Sequence, residues 1–355
     1  MQHIISGIQQ IGIGVNNACE AFQWYKQHFG FDTIVFEDKA AASLMTRYTG
    51  GKEHERYAVL AMNMQGGAGL EIWQYTSRAP QPAEAPLCLG DTGIFSVKLR
   101  CKDVEKAYSQ FSIKGLNLLT GVSANPVGEL HFYVEDLYGN IFEIVEEAYW
   151  FSNNKNLIGG ICGATIGVND LKNALPFYQN ILGYRQVDFD GEDLFKDLNG
   201  INGGLEKIKR VILKQSKQTG PFSRLLGPSV IELVQATNRT AKKIYAERYW
   251  GDPGFIHICY DVCGMEQLSV QCNKLNSPFT VNSIDSFSMG QAGGHFAYNE
   301  DYDGTLIEYV ETHKVPIVKK LGWYLDLRKR NSYKPLPDWM IKCMGLGKKE
   351  LQLAS

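Results

Sequence analysis

The feature that most constrains the fold of this chain is an internal repeat. Two passages share a β-rich run ending in Val-Asn, then a segment with aromatic residues at helical spacing, then a glycine. The pairs Val15 and Val168, Tyr25 and Tyr178, and Gly30 and Gly183 are each 153 residues apart. Several matches at one constant separation indicate a duplicated structural unit, because chance rarely conserves spacing along with residue type.

The repeated passage predicts a strand, a helix and a second strand. The sequences Val-Asn-Asn and Val-Asn-Asp supply side-chain oxygens that can cap the first turn of a helix. Phe22, Tyr25 and Phe29 then follow at helical spacing, and the second copy repeats this spacing. Gly30 and Gly183 predict the helix ends, since glycine readily adopts the left-handed conformation found there.

The later part of each half repeats as well. Glu71 and Glu232 lie between apolar residues in strand-like runs. Glu143 and Glu308 also lie in such runs, each after a tight glycine turn. Each half therefore contains two units that consist of a strand, a helix and further strands.

We accordingly predict an α+β chain of four tandem βαβββ modules. Modules one to four begin near Ile8, Gly93, Ile161 and Gly254, and the helices of modules two and four are predicted at Val104–Lys114 and Met265–Leu275. Residues 1–150 form one half and residues 158–312 the other, joined by a polar linker within residues 149–160. Residues 313–355 form a C-terminal extension that we expect to pack on the body or on a partner subunit.

Composition excludes several classes of protein. The 355 residues carry a net charge of −2, which gives no basic surplus for binding nucleic acid. No run of 18 apolar residues suggests a membrane span, and the N-terminus does not resemble a secretory signal. The eight scattered cysteines include no Cys-x-x-Cys pair, which favours reduced thiols in a cytoplasmic protein.

With these motifs in order, the chain resembles the vicinal oxygen chelate superfamily, which includes glyoxalase I, extradiol dioxygenases and related resistance proteins. The resemblance covers residues 5–312 and rests on opening runs such as 10–15 with 22–31, and on closing runs such as 136–143. It implies curved mixed sheets around a metal cleft. In this superfamily each module can offer one metal ligand from its first strand and one from its last.

The resemblance implies four pairs of ligand positions, one for each module. They are Gln10 and Glu71, Ser96 and Glu143, Gly163 and Glu232, and His257 and Glu308. If neighbouring modules pair, as in extradiol dioxygenases, each site lacks one ligand. If module one pairs with module four, as in fused glyoxalase I proteins, one site is complete. We favour the second pairing, with Glu143 and Glu232 as remnants that have a structural role.

The favoured site has the ligand types of glyoxalase I. Gln10, Glu71, His257 and Glu308 would bind one divalent metal ion, which could be zinc, nickel, cobalt, manganese or iron. By resemblance, Glu308 is the preferred proton acceptor and Glu71 its counterpart on the opposite face. Gln9 is an alternative to Gln10, because alternation along the strand does not decide between them.

We therefore predict a metal-dependent lyase, isomerase or epimerase that transfers a proton beside a carbonyl of a small molecule with adjacent oxygens. Glutathione is not expected as part of the substrate, because Gly14, Tyr75 and Pro253 stand where glutathione-dependent members carry Arg, Asn and Arg. The alternatives are an extradiol-type dioxygenase and a non-catalytic small-molecule-binding protein. Either a monomer or a homodimer is compatible with the sequence. Tyr249 and Trp250 could form a wall or lid of the pocket, or a core contact.

Overall fold

The α+β class is confirmed by the computed structural model, which describes residues 3–215, 219–284, 287–289, 292–318, 323–344 and 351. In these ranges the chain forms four consecutive modules and a C-terminal extension. Each module begins with a strand followed directly by a helix, as the repeat predicts.

The first two modules lie within residues 4–146. Module one contains β1 (Ile4–Gly14), α1 (Ala18–Phe29), β2 (Thr33–Ala41), a 3-10 helix (Ser43–Tyr48), β3 (Glu55–Met62) and β4 (Gly69–Tyr75). Module two contains β5 (Gly93–Cys101), α2 (Val104–Ile113), β6 (Asn117–Leu118), β7 (Ser123–Ala124), β8 (Leu130–Glu135) and β9 (Ile141–Glu146).

The remaining two modules repeat this order. Module three contains β10 (Ile158–Gly167), α3 (Leu171–Asn180), β11 (Gln186–Asp193), a 3-10 helix (Lys196–Leu198), β12 (Ile208–Lys214), the short α4 (Ser223–Leu226) and β13 (Val230–Ala236). Module four contains β14 (Gly254–Cys263), α5 (Met265–Lys274), β15 (Val281–Asn282), β16 (Phe287–Met289), β17 (Ala292–Glu300) and β18 (Leu306–Thr312).

The helix boundaries follow the capping signals of the repeat. Asn17 accepts hydrogen bonds from the backbone of the first turn of α1, and Asp170 does the same for α3. Gly30 ends α1 in the left-handed conformation, with φ of 74°. In the second copy α3 ends earlier, with Ile181 at its C-terminal cap, and Gly183 takes the positive φ in the following turn.

The chain forms two nine-stranded sheets, and each sheet is built from two modules that belong to different halves of the chain. The first sheet has the order β15-β17-β18-β14-β1-β4-β3-β2, with β16 attached to β17, and so joins modules four and one. The second has the order β11-β12-β13-β10-β5-β9-β8-β6, with β7 attached to β8, and joins modules three and two. Each sheet therefore takes one module from each half of the chain.

The two modules within each half are linked through their helices rather than through strand pairing. The Tyr25 hydroxyl on α1 donates to the Asp136 carboxylate of module two, and the Tyr178 hydroxyl on α3 donates to Asp301 of module four. Both contacts are buried, and both use the tyrosine and aspartate of the sequence repeat. Apolar residues from both sheets and four helices share one continuous core.

The C-terminal extension packs on the body of the molecule over the part that is described. It forms a hairpin of β19 (Lys314–Val318) and β20 (Trp323–Asp326), a 3-10 helix (Leu327–Lys329) and α6 (Asp338–Met344). Leu336 and Ile341 are buried with Met62 and Leu225 of modules one and three. Residues 319–322, 345–350 and 352–355 of the predicted extension lie outside the described residues.

Two features of the described chain bear on its class. No helix in these ranges is long and apolar enough to cross a membrane. The eight cysteines are unpaired, and four of them, Cys101, Cys162, Cys259 and Cys272, are buried.

One carboxyl group in the first sheet is buried without a cationic partner among the residues that affect its pKa. Asp261 on β14 is 2% exposed. Burial raises the pKa of Asp261 to about 7, a hydrogen bond with Ser6 opposes the shift, and the charge of Glu311 adds to it. The folded state therefore holds this proton more tightly than the unfolded chain does.

Asp261→Asn should stabilise the protein at pH 8 by up to roughly 4 kcal/mol and have little effect below pH 4. Ionisation of this carboxyl costs the folded state free energy as the pH rises from about 4 to about 7, and the amide removes that cost. Urea unfolding of both proteins across this range measures the difference, with exposed Asp188→Asn as the control. An equal effect at pH 4 and pH 8 would contradict the assignment.

Candidate metal centre

Four side chains of modules one and four meet on one face of the first sheet. Gln10, Glu71, His257 and Glu308 lie on β1, β4, β14 and β18, which are consecutive strands in the order β18-β14-β1-β4. Their strand neighbours such as Ile11 and Ile72 are buried in the common core. Because side chains alternate across a strand, the four polar residues point to the opposite face.

The polar atoms of these residues converge at hydrogen-bond distances. The Nε2 atom of His257 is 3.0 Å from the Glu308 Oε2 atom and 3.3 Å from the Glu71 Oε2 atom. The Gln10 Nε2 atom donates to Glu71 Oε2 at 3.1 Å and to Glu308 Oε2 at 3.5 Å. The structure therefore brings together all four residues that the family resemblance implied as metal ligands.

The donor set fits a divalent metal ion. Ligand atoms of Glu71, His257 and Glu308 all lie within 4.8 Å of one another, and no other such group occurs in the described part of the chain. The His257 Nε2 and Gln10 Oε1 atoms are buried and make no hydrogen bond of acceptable geometry to any described residue. An imidazole nitrogen, an amide oxygen and two carboxylates are common ligands of zinc and other transition metals.

A glycine makes room for the histidine. Gly12 on β1 lies directly opposite His257 on β14. A Cβ atom built on Gly12 would lie 2.3 Å from the Cε1 atom of the imidazole ring, closer than any packed contact allows. The ring of His257 therefore lies over the backbone of β1, and only glycine at position 12 permits this.

The other ring nitrogen of His257 faces a tyrosine. The Tyr298 hydroxyl is 3.5 Å from His257 Nδ1, and Tyr298 lies opposite Glu308 on the neighbouring strand. A partner at Nδ1 orients the ring and leaves Nε2 for the carboxylates or for an ion. Burial opposes protonation of His257, but the charges of the close Glu308 and Glu71 carboxylates outweigh it and raise the pKa of His257 to about 9.

Aromatic side chains cover the four residues. Trp250 is stacked nearly parallel to His257, with ring centroids 6.3 Å apart, and meets Trp73 edge-on at 4.2 Å. The Tyr75 hydroxyl donates to the Trp250 carbonyl. Trp250 also lines a cavity of about 120 Å³ with Arg248. None of the four polar residues lines this cavity, so Trp250 separates it from His257 and also belongs to a buried cluster.

The sequence did not identify three residues of this site. Gly12, Tyr298 and Cys259 carry no motif, although Cys259 could be placed on the His257 face because it follows two residues later on the same strand. Cys259 lies opposite both Gln10 and Glu308. The alternative ligand Gln9 sits at an irregularity of β1 and places its side-chain oxygen 3.5 Å from the Cys259 sulfur.

The other nominated residues lie in the second sheet. Ser96, Glu143, Gly163 and Glu232 are on β5, β9, β10 and β13. An extradiol-type site would need Gly163 and Glu232 beside His257 and Glu308, but these pairs belong to different sheets. His131, on β8 just before the closing strand of module two, is fully buried beside Glu143.

Comparison with known proteins gives a family for the first part of the chain. Residues 7–144 match the model of the Glyoxalase/Bleomycin resistance protein/Dioxygenase superfamily. No curated protein matches the chain.

Solved structures share the fold at low sequence identity. A candidate dioxygenase from Bacillus subtilis subsp. subtilis str. 168 is 14% identical with a TM-score of 0.57, and the alignment covers 86% of this chain and 85% of that one. Glyoxalase I from Zea mays is 14% identical with a TM-score of 0.53, covering 86% and 92% of the two chains. At this identity the likeness extends to the fold alone.

Gly12→Ala should weaken binding of a divalent ion roughly 10- to 100-fold, the usual effect of disturbing a group that orients a ligand. The new methyl group displaces the His257 ring while all four polar side chains remain. Titration with Mn²⁺ measures the change. Gly121→Ala is the matched control, because nothing lies within 4 Å of a Cβ atom at that position. Wild-type affinity in Gly12→Ala would exclude His257 as a ligand.

Proposed function

We propose that this chain, whose residues 7–144 match the Glyoxalase/Bleomycin resistance protein/Dioxygenase superfamily, is a metal-dependent lyase, isomerase or epimerase. The reaction is the transfer of a proton at a carbon atom next to a carbonyl group. The substrate is a small molecule with oxygens on adjacent carbons. Gln10, Glu71, His257 and Glu308 hold one divalent ion.

One observation carries this proposal. Two carboxylate oxygens from different modules approach the same imidazole nitrogen at 3.0 and 3.3 Å. A buried carboxylate lowers the stability of the folded state unless a cation neutralises it or a hydrogen-bond donor binds it. A divalent ion would neutralise both carboxylates, and its other two ligands would be the His257 nitrogen and the buried Gln10 oxygen, which accepts no hydrogen bond from any described residue.

We assign the proton transfer to the two glutamates. Glu71 and Glu308 come from β4 and β18, which flank the β1–β14 pair on its two sides. A divalent ion bound there supplies Lewis acidity, which stabilises negative charge on the oxygens of a substrate. Glu308 accepts the proton from one side, and Glu71 stands on the other side to return it, as inversion at carbon requires.

The surroundings favour a substrate other than a glutathione adduct. A Cβ atom on Gly14 would lie 2.0 Å from the Asp252 carbonyl oxygen, so no long cationic side chain fits there. The Tyr75 hydroxyl donates a hydrogen bond to the Trp250 carbonyl. The Nη1 atom of nearby Arg78 forms an ion pair with Asp252 Oδ1 at 2.6 Å. The positions that would bind the glutathione carboxylates therefore offer no free cation.

The purified wild-type protein should contain one divalent ion per chain, and Gln10→Ala and His257→Ala should each lose most of it. Both residues supply a ligand, so either deletion removes a bond to the ion. Elemental analysis after dialysis measures the content. His28→Ala, on α1 away from the cleft, is the control and should keep the ion. If His257→Ala loses the ion and Gln10→Ala keeps it, Gln10 of module one is not a ligand of the ion that His257 of module four binds.

Glu308→Gln should lower exchange of the substrate α-hydrogen with solvent by roughly 10²- to 10⁴-fold while the metal content stays above half of wild type. The amide can still bind an ion but cannot accept the proton. Deuterium incorporation into α-hydroxy-carbonyl compounds, followed by NMR, measures the rate. Glu146→Gln, exposed at the end of β9, is the control.

An unchanged exchange rate in metal-loaded Glu308→Gln would contradict the role of Glu308 as base. A wild-type protein that binds the ion and these compounds without any exchange would favour the non-catalytic binding protein instead.

A further inference from the structure

The second sheet contains a cleft that corresponds to the first, strand by strand. In the first sheet Gly12 pairs with Glu71, and Cys259 pairs with Glu308. In the second sheet Thr165 pairs with Glu232, and Lys98 pairs with Glu143. The two central strand pairs also agree in register. Gln10 and Gly12 face Cys259 and His257, just as Gly163 and Thr165 face Lys98 and Ser96.

This correspondence places a lysine where the first cleft has a cysteine. Lys98 and Cys259 each follow by two residues the first-strand ligand position of their module, Ser96 and His257. Lys98 therefore points to the same face of its sheet as the two glutamates. It is 4% exposed, and β5 and β10 are the two central strands that lie between β9 and β13, the strands that carry those glutamates.

The ammonium group of Lys98 contacts both carboxylates. Its Nζ atom lies 2.7 Å from Glu232 Oε2 and makes a still shorter contact with Glu143 Oε2. Glu143 comes from module two and Glu232 from module three. Two carboxylate oxygens thus converge on one cationic nitrogen, as Glu71 and Glu308 converge on His257 in the first cleft.

The second oxygen of each of these two carboxylates also has a partner. His131 Nδ1 lies 2.8 Å from Glu143 Oε1, and Arg210 Nε binds Glu232 Oε1. Asp197 is 2.7 Å from Arg210 and 3.4 Å from His131. With His131 protonated, three positive groups face three carboxylates, so the network is neutral without any further ion.

The other two positions of the second cleft offer a metal ion weaker ligands than their counterparts in the first cleft do. Gly163 has no side-chain donor in the place of Gln10, and Ser96 offers only a hydroxyl in the place of His257. That hydroxyl is buried and has no hydrogen-bond partner among the described residues. A divalent ion entering here would meet the ammonium group of Lys98 instead of a free pair of carboxylates.

We propose that the Lys98 ammonium group takes the place of a metal ion in the second cleft. The second cleft consequently binds neither ion nor substrate, and the wild-type ion count of one rests on the function proposed for the first cleft. Its function is to join modules two and three by an internal ion network. This inference holds whether or not the first cleft is catalytic, because it concerns different residues.

The test is Mn²⁺ binding to the full-length wild type and to Lys98→Ala, measured by equilibrium dialysis and elemental analysis. Lys98→Ala should bind one Mn²⁺ ion more than the wild type, and its melting temperature should rise with Mn²⁺ more than that of the wild type. The extra ion should disappear when Glu232→Gln is added. Lys209→Ala, a partly exposed lysine of the same sheet, is the control and should match the wild type.

The count of ions separates this inference from the proposed function. If the first cleft binds no metal, the wild type will hold none and Lys98→Ala one. A folded Lys98→Ala with the wild-type ion count and an unchanged response to Mn²⁺ overturns the inference. So does a wild type that holds two ions, one of which is lost in Glu232→Gln.

A second measurement covers the case in which Lys98→Ala does not fold, since it leaves two buried carboxylates without their shared cation. Lys98→Met removes the charge and keeps most of the volume of the side chain. Adding Glu143→Gln to Lys98→Met removes one carboxylate charge. The melting temperature of this double variant should exceed that of Lys98→Met by more than half of the decrease that Lys98→Met causes. No recovery would show that Lys98 does not act as the counter-ion of Glu143, and would overturn the inference.

Discussion

Each of the two large sheets carries a pair of glutamates on the face away from the common core, and each pair needs a positive charge close by. A carboxylate removed from water is stable only when a cation or several hydrogen bonds replace the lost hydration. In the second sheet Lys98 and Arg210 meet this need. In the first sheet His257 is the only cationic group that the described residues place against Glu71 and Glu308. The two sheets therefore differ in positive charge. The second cleft has two cationic side chains beside its glutamates, and the first has only His257.

This difference arises from a small number of positions on otherwise matching strands. The strand registers of the two sheets correspond, so a lysine at 98 and a cysteine at 259 occupy equivalent places. A duplicated fold supplies the same cleft twice, and side-chain identity then decides which cleft can hold an ion. The internal network also joins modules two and three, so the second cleft stabilises the arrangement that the first cleft depends on.

The pairing of modules across the chain follows from two kinds of contact. The tyrosines of α1 and α3 bind the closing turns within each half, while the long antiparallel pairs β1–β14 and β5–β10 join the halves. A site that draws Gln10 and Glu71 from module one and His257 and Glu308 from module four requires both contacts. Its ligand geometry is thus coupled to the packing of the whole chain, beyond the local strand–turn sequences.

The sequence by itself determined the repeat and the order of strands and helices within each module, and its resemblance to a known superfamily implied the four polar residues of the first cleft. The repeat and the order of elements follow from local rules, since helix caps, glycine turns and the alternation of strands depend on residues close together in the chain. Only the tertiary structure decided that module one pairs with module four, that Gly12 makes room for His257, and that Lys98 reaches both Glu143 and Glu232. Those contacts join residues that are far apart in sequence, and their existence depends on which strand edges meet when the core is buried.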